Sequence, residues 1–345
     1  MAAMWNPDSF VEQLLNKAQA LRDKKMSDGG DWNTHRLRLR QRLTETLGDF
    51  SDYANVPLDP RELERAELDS FIRERVEYRT ADGLLVPAYV VSRKESTGQR
   101  RPAILALHGH GWGSREMVGL LPDGLPNTSV PSGHGGTVLE LAARGFVVLI
   151  PEIVGFGDRL LLRDEGGGEP KANSCFPLAA ALLLAGKTLA GLRVYEASRA
   201  IDYLAMRTDV DADRIGVIGF SGGGMVASLA AALDERLRTV AIYGYTNTYR
   251  GSILNRSHCL DNYLPGVLQY AEMPELLGLI APRPLFIESG KEDPLFPARH
   301  VIDAVKVLKD IYRSYGCEER VTLDLFEGAH EIKGRASFDW LQAMV

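Results

Sequence analysis

Short, mostly apolar runs alternate with segments of helical period through most of this chain, and that alternation leaves few folds open. The runs are Ala103–Leu107, Phe146–Ile150, Ile215–Phe220, Thr239–Tyr243, Leu285–Ser289 and Val321–Phe326. Runs of this kind suit strands covered on both faces, as in a parallel sheet. Between them, Ala197, Ala200, Ile201 and Leu204 recur at i, i+3, i+4 and i+7, as do Val226, Leu229, Ala230 and Leu233, and Val301, Ala304, Val305 and Leu308. Strand–helix alternation predicts an α/β fold: a mostly parallel, doubly wound sheet with helices on both faces. Upstream, Val76–Arg79 and Leu84–Val91 flank Ala81-Asp82-Gly83 and predict a hairpin.

The first part of the chain has a different character. Pro7 follows Asn6 at a first helical turn, and Val11, Leu14, Leu15 and Ala18 keep helical spacing until Gly29-Gly30 breaks it. A second helix is predicted over Trp32–Leu47, then a loop with Pro57 and Pro60. Residues 1–72 are therefore read as an N-terminal helical appendage and 73–345 as the α/β domain. With 45% hydrophobic residues in 345, a sizeable core is available.

Charge and cysteines narrow the function classes. The net charge is −6 and the basic residues are scattered, so neither nucleic acid nor an anionic membrane surface is expected as a partner. Cys175, Cys259 and Cys317 are odd in number and lack CxxC spacing, which argues against a disulfide framework. Met1–Phe10 lacks a signal-peptide pattern, and the apolar stretch Pro177–Ala185 is too short to span a bilayer. A reducing, cytoplasmic setting is the expectation, and a homo-oligomer stays open.

Chemistry enters at Gly219-Phe220-Ser221-Gly222-Gly223, a G-x-S-x-G pattern with an apolar strand before it and an amphipathic helix after it. That context fits a nucleophile on a sharp strand-to-helix turn, where flanking side chains would collide with neighbouring backbone. A glycine-rich turn that binds phosphate or merely turns is the plain alternative. A serine hydroxyl needs a base to take its proton. His330 lies in a loop just after the last predicted strand, and Asp293 just after the preceding one. Alone, each would pass for a surface histidine and a turn-forming aspartate. Together they give the order Ser221, Asp293, His330 at carboxyl ends of strands, the order of the α/β-hydrolase fold. Glu292 and Asp324 are alternative acids, and Glu331 is expected to be solvated.

The run Leu107-His108-Gly109-His110-Gly111-Trp112-Gly113 follows a buried strand. In this fold the oxyanion donors are the N–H after the nucleophile, here Gly222, and one from this loop, assigned to His110. No carboxylate or cysteine is spaced in the sequence to complete a metal site with His108 and His110, so no metal is assigned. His108 is read as a structural loop residue and Trp112 as a pocket wall. The long loops Trp112–Gly136 and Gly155 to about Ala180 also follow strand ends, where open α/β sheets bind ligands.

Several stretches together carry a family resemblance: His108–Gly113, Pro151-Glu152, Gly155–Arg159, Gly186–Leu204, Asp211–Gly224, Gly244–Gly266, Ile280–Pro297 and Gly328–Glu331. The chain from about Val76 onward resembles the bacterial acetyl xylan esterase-like α/β hydrolases, relatives of the dienelactone hydrolase and prolyl oligopeptidase groups. The resemblance implies a cofactor-independent Ser-His-Asp esterase acting on small-molecule esters, with a small acyl group such as acetyl on a sugar or other alcohol. Gly222 stands where carbohydrate esterases of the group carry Gln. Tyr249, Arg250, His258 and Asn262 are candidates to line the acyl or alcohol pocket. Asp158 and Arg159 are expected to tie a loop by an ion pair, and Cys259 to be a buried small apolar residue. Alternatives are an amidase or peptidase of the prolyl oligopeptidase type, a carbon–carbon bond hydrolase, and a non-catalytic binding protein on a hydrolase scaffold.

Overall fold

A computed structural model of the chain describes residues 5–28, 31–94, 98–128, 134, 136–165 and 173–345. The predicted break at Gly29-Gly30 and parts of both long loops lie outside the described residues. The strands are β1 (Arg61–Glu67), β2 (Phe71–Ala81), β3 (Leu84–Arg93), β4 (Arg101–Leu107), β5 (Val147–Pro151), β6 (Val210–Phe220), β7 (Leu237–Tyr243), β8 (Leu285–Gly290) and β9 (Val321–Phe326). They form one sheet in the order β1-β2-β3-β5-β4-β6-β7-β8-β9. The ladders from β5 through β4 to β9 are parallel, and the three on the β1 side are antiparallel. All six predicted apolar runs and the hairpin are strands of this sheet.

The helices, in chain order, are α1 (Asp8–Asp28), α2 (Trp32–Leu47), α3 (Ser114–Met117), α4 (Thr137–Ala143), α5 (Cys175–Leu184), α6 (Leu189–Met206), α7 (Gly222–Leu233), α8 (Met273–Gly278), α9 (Ala298–Arg313) and α10 (Arg335–Met344). Strand side chains alternate between two cores. On β4, Ala103, Leu105 and Leu107 join the core formed with α2, α6, α7, α8 and α9, whereas Ile104 and Ala106 join the core under α3, α4 and α10. The period of two along each strand thus requires helices on both faces. Each fully buried Leu or Ile contributes roughly 1.5–3 kcal/mol.

One feature departs from the predicted appendage, expected to be helical and packed on the main domain. Strand β1 lies upstream of residue 73, inside the stretch read as helical, and pairs antiparallel with β2. Its sequence, Arg-Glu-Leu-Glu-Arg-Ala-Glu, is charged on both faces and carries no alternation to read. Cross-strand pairs such as Arg65–Glu74 (2.7 Å) hold it in place of apolar burial, and its charge blunts a sheet edge. Helix α2 is also part of the core: Leu39, Leu43 and Leu47 are buried, and Gly191 of α6 admits the Leu47 carbonyl where any β-carbon would collide. Helix α1 is more loosely held, through Arg250 to Glu12 and Lys25 to the Gln269 carbonyl.

Candidate active site

The turn from β6 into α7 is built by sterics. A β-carbon on Gly219 would strike the Gly223 carbonyl, and one on Gly223 would strike the carbonyls of Leu107 and His108. Only glycine lets the strand, the turn and β4 approach this closely. Between them Ser221 sits at φ 54° and ψ −120°, a conformation non-glycine residues rarely adopt, while its N–H donates to the Tyr243 carbonyl at 2.9 Å. Strain of this kind clusters where side-chain placement matters.

The histidine loop is fixed just as tightly. Gly290, closing β8, faces the carbonyls of Gly328 and Ala329 where a β-carbon would collide. Glu292 N–H donates to the Gly328 carbonyl at 3.0 Å. Asp293 is buried; its Oδ1 accepts from the N–H groups of Leu295 (2.8 Å) and Phe296 (3.0 Å), and its Oδ2 lies 2.7 Å from His330 Nδ1. A carboxylate only accepts, so Nδ1 carries the proton and Nε2 offers its lone pair. Nε2 is buried and makes no hydrogen bond among the described residues, Ser221 included. The imidazole packs on Phe220, the residue before Ser221, at 4.7 Å between centroids, and stacks on Phe296 at 5.8 Å. A catalytic hydrogen bond such as one from Ser221 to Nε2 often forms only when substrate binds. Of the other acids, Glu292 is exposed, Asp324 lies on β9, and Glu331 pairs with Lys333.

The loop after β4 is pinned from beneath. His108 is buried, and its Nε2 accepts the Ile153 N–H at 3.0 Å, the structural role expected of it. Glu152, also buried, accepts from the Ser114 N–H (2.9 Å) and hydroxyl (2.7 Å). The His110 ring lies 3.2 Å from where a β-carbon on Gly222 would stand, so the two residues assigned as oxyanion donors are neighbours. Gly222 opens α7, so its N–H has no carbonyl one turn earlier to reach.

Other expectations meet mixed outcomes. His258 packs on Phe296, the phenyl that also stacks on His330, its ring 5.7 Å from it, and partial burial lowers its pKa. Tyr249 is buried in the core and its hydroxyl pKa is pushed well up by burial. Arg250 points away to Glu12 (2.7 Å) and Asn16 (2.8 Å) of α1. Asn262 is buried and bonded to the Cys259 carbonyl and Asp261. The segment after β7 opens with a π-helical turn, which sets the facing of these side chains and is invisible to periodicity. Trp112 donates its indole N–H to the Leu120 carbonyl at 2.9 Å, a contact that braces its own loop. Asp158 and Arg159 do form ion pairs, though not with each other: Asp158 meets Arg75 (2.5 Å) and Arg115, and Arg159 meets Glu196 (2.6 Å).

Sequence reasoning missed two histidine-centred features. His134 is buried edge-on against Phe220 at 5.2 Å, and burial lowers its pKa to about 3, which keeps it neutral. The second is a group of His110, Cys175 and Cys259, whose donor atoms all lie within 4.8 Å of one another. Sequence spacing carries no sign of this grouping, because the fold supplies both cysteines from distant segments.

Comparison with known proteins places this geometry in context. The model of the dienelactone hydrolase family matches residues 134–330. The Bacillus subtilis (strain 168) protein YtaP, assigned as a hydrolase, is 30% identical over 292 residues, covering 82% of this chain and 90% of that protein. Among solved structures, a Bacteroides fragilis protein assigned as an acetyl xylan esterase aligns at TM-score 0.70 and 17% identity, over 84% of this chain and 74% of the other. A glucuronoyl esterase from Solibacter usitatus aligns at TM-score 0.64 and 17% identity, over 92% and 93%. At these identities the structural likeness bears on the α/β-hydrolase fold.

Proposed function

The chain belongs to the dienelactone hydrolase family, and from that premise we propose that it is a serine carboxylic-ester hydrolase working through an acyl-enzyme. One observation carries the reading. The His330 imidazole is held through Nδ1 by a buried carboxylate, which leaves Nε2 as an unused base packed against the residue that precedes a strained Ser221.

In the proposed cycle Ser221 Oγ attacks the ester carbonyl while His330 Nε2 takes its proton. Asp293 keeps the Nδ1–H tautomer and stabilises the imidazolium. The N–H groups of His110 and Gly222 receive the developing alkoxide; each such donor typically contributes roughly 3–4 kcal/mol to lowering the barrier. His330 then protonates the leaving alcohol, and activates water against the acyl-enzyme in the second half. The preferred substrate is a small acyl ester of a sugar or other alcohol, by analogy with the acetyl xylan esterase of like fold.

The test is direct. A fluorophosphonate probe should form one adduct, at Ser221, that Ser221→Ala abolishes, and the protein should cleave nitrophenyl acetate faster than longer-chain esters. A folded chain that resists the probe and spares all nitrophenyl esters would overturn the proposal. Faster cleavage of an aminoacyl nitroanilide would move the reading to an amidase.

A further inference from the structure

His110, Cys175 and Cys259 come from the loop after β4, the first residue of α5 and the turn ahead of Leu260–Asn262. Their imidazole and thiol donor atoms lie within 4.8 Å of one another, with His110 Nε2 at 2.8 Å from Cys259 Sγ. Cys175 is buried, Cys259 half-buried and His110 exposed, so the group reaches from the interior to the surface. None of these three side chains has a part in the proposed ester hydrolysis. From this grouping we propose that His110, Cys175 and Cys259 form a binding site for a borderline-soft divalent cation, zinc.

The donor chemistry selects the ion. Two thiolates and one imidazole are a zinc set, whereas magnesium and calcium prefer oxygen. Zinc–sulfur and zinc–nitrogen bonds of about 2.3 and 2.0 Å put donors on a tetrahedral ion roughly 3.5–4 Å apart. The His110–Cys259 contact at 2.8 Å would have to widen to that span, and no donor pair lies beyond 4.8 Å. Charge also balances. The Arg193 guanidinium, 3.3 Å from Cys175 Sγ, is itself paired with Asp261, both side chains being almost wholly buried. A divalent ion on two thiolates therefore adds no net charge beside that neutral pair, and uptake releases whatever protons the thiols still hold. Three protein donors leave a fourth position, on the exposed His110 side, for water.

Occupancy has a local consequence. The ion would tie the imidazole of His110 to α5 and to the segment after β7, so it would hold the residue whose main-chain N–H is the proposed oxyanion donor. That consequence rests on the esterase reading; the metal site itself does not.

The experiment uses the reduced full chain titrated with cobalt(II) chloride, then with zinc chloride. The expected result is one cobalt per chain, with a thiolate-to-cobalt charge-transfer band and tetrahedral visible bands that zinc displaces. Cys259→Ser and His110→Gln should lose the band, Cys317→Ser should keep it, and Cys175→Ser serves only if it folds. Ser221→Ala should keep the band while losing the fluorophosphonate adduct, which separates failure of this site from failure of the esterase reading. Absence of the band in reduced protein, a band that survives Cys259→Ser, or a Cys175–Cys259 disulfide that persists under reductant would each overturn the site.

Discussion

Replacing Asp293 by Asn tests the proposed base at the level of a single proton. The side-chain oxygen that accepts from Leu295 and Phe296 N–H is specified by the backbone, at 2.8 and 3.0 Å. An asparagine must put its carbonyl there. Turning the amide round would strand two buried donors against an NH2 group, at about 1–3 kcal/mol each. The NH2 therefore faces His330 Nδ1, which must become an acceptor, and the ring proton moves to Nε2. In that tautomer the imidazole cannot take the Ser221 proton. The shape of the site is unchanged, so the expected loss is in turnover: roughly 10⁴-fold, or about 5.5 kcal/mol, as for other triads of this design. Initial rates on saturating nitrophenyl acetate would be compared for Asp293→Asn, Glu292→Gln and Asp324→Asn, with thermal melts to confirm folding. Retention of turnover within about tenfold of wild type by Asp293→Asn, or a larger loss in either other variant, would refute the reasoning.

Three further outcomes are expected. Ser221→Gly should abolish turnover yet raise stability by about 1 kcal/mol, because glycine accepts the φ of 54° without strain; a denaturation midpoint below wild type would count against stored strain at the turn. Glu288 on β8 is almost wholly buried, and burial raises its carboxyl pKa to about 7 despite N–H donors from Lys333 and Gly334. Its folded pKa lies above its unfolded one, so the folded chain holds the extra proton. The stability that this group contributes is fully present below the ordinary glutamate range and is lost as pH rises through about 7, roughly 3 kcal/mol at most. Urea unfolding of Glu288→Gln between pH 4 and 8 should show that slope flattened. Arg250→Ala should change kcat/KM on small esters less than about threefold, since an exposed ion pair to α1 contributes little; a large rise in KM would return Arg250 to the pocket.

Local pattern determined much of this protein. Apolar runs of strand length, separated by segments of period 3.6, specified the parallel part of the sheet. Because the ends of those strands were readable, so were the places of Ser221, Asp293 and His330: each sits within a few residues of a strand terminus, and the sheet brings those termini to one edge. Tertiary structure decided what has no local signature. Strand β1 is charged on both faces and is held by pairing to β2, so no periodicity announces it. Tyr249 and Arg250 are adjacent in sequence, yet a π-helical turn buries one and sends the other to α1. His110, Cys175 and Cys259 are scattered along the chain, and only the packing of α5 and the segment after β7 against the loop of β4 makes them neighbours. Sequence spacing reports geometry within a helix or strand; across separate elements the distance between side chains is set by packing.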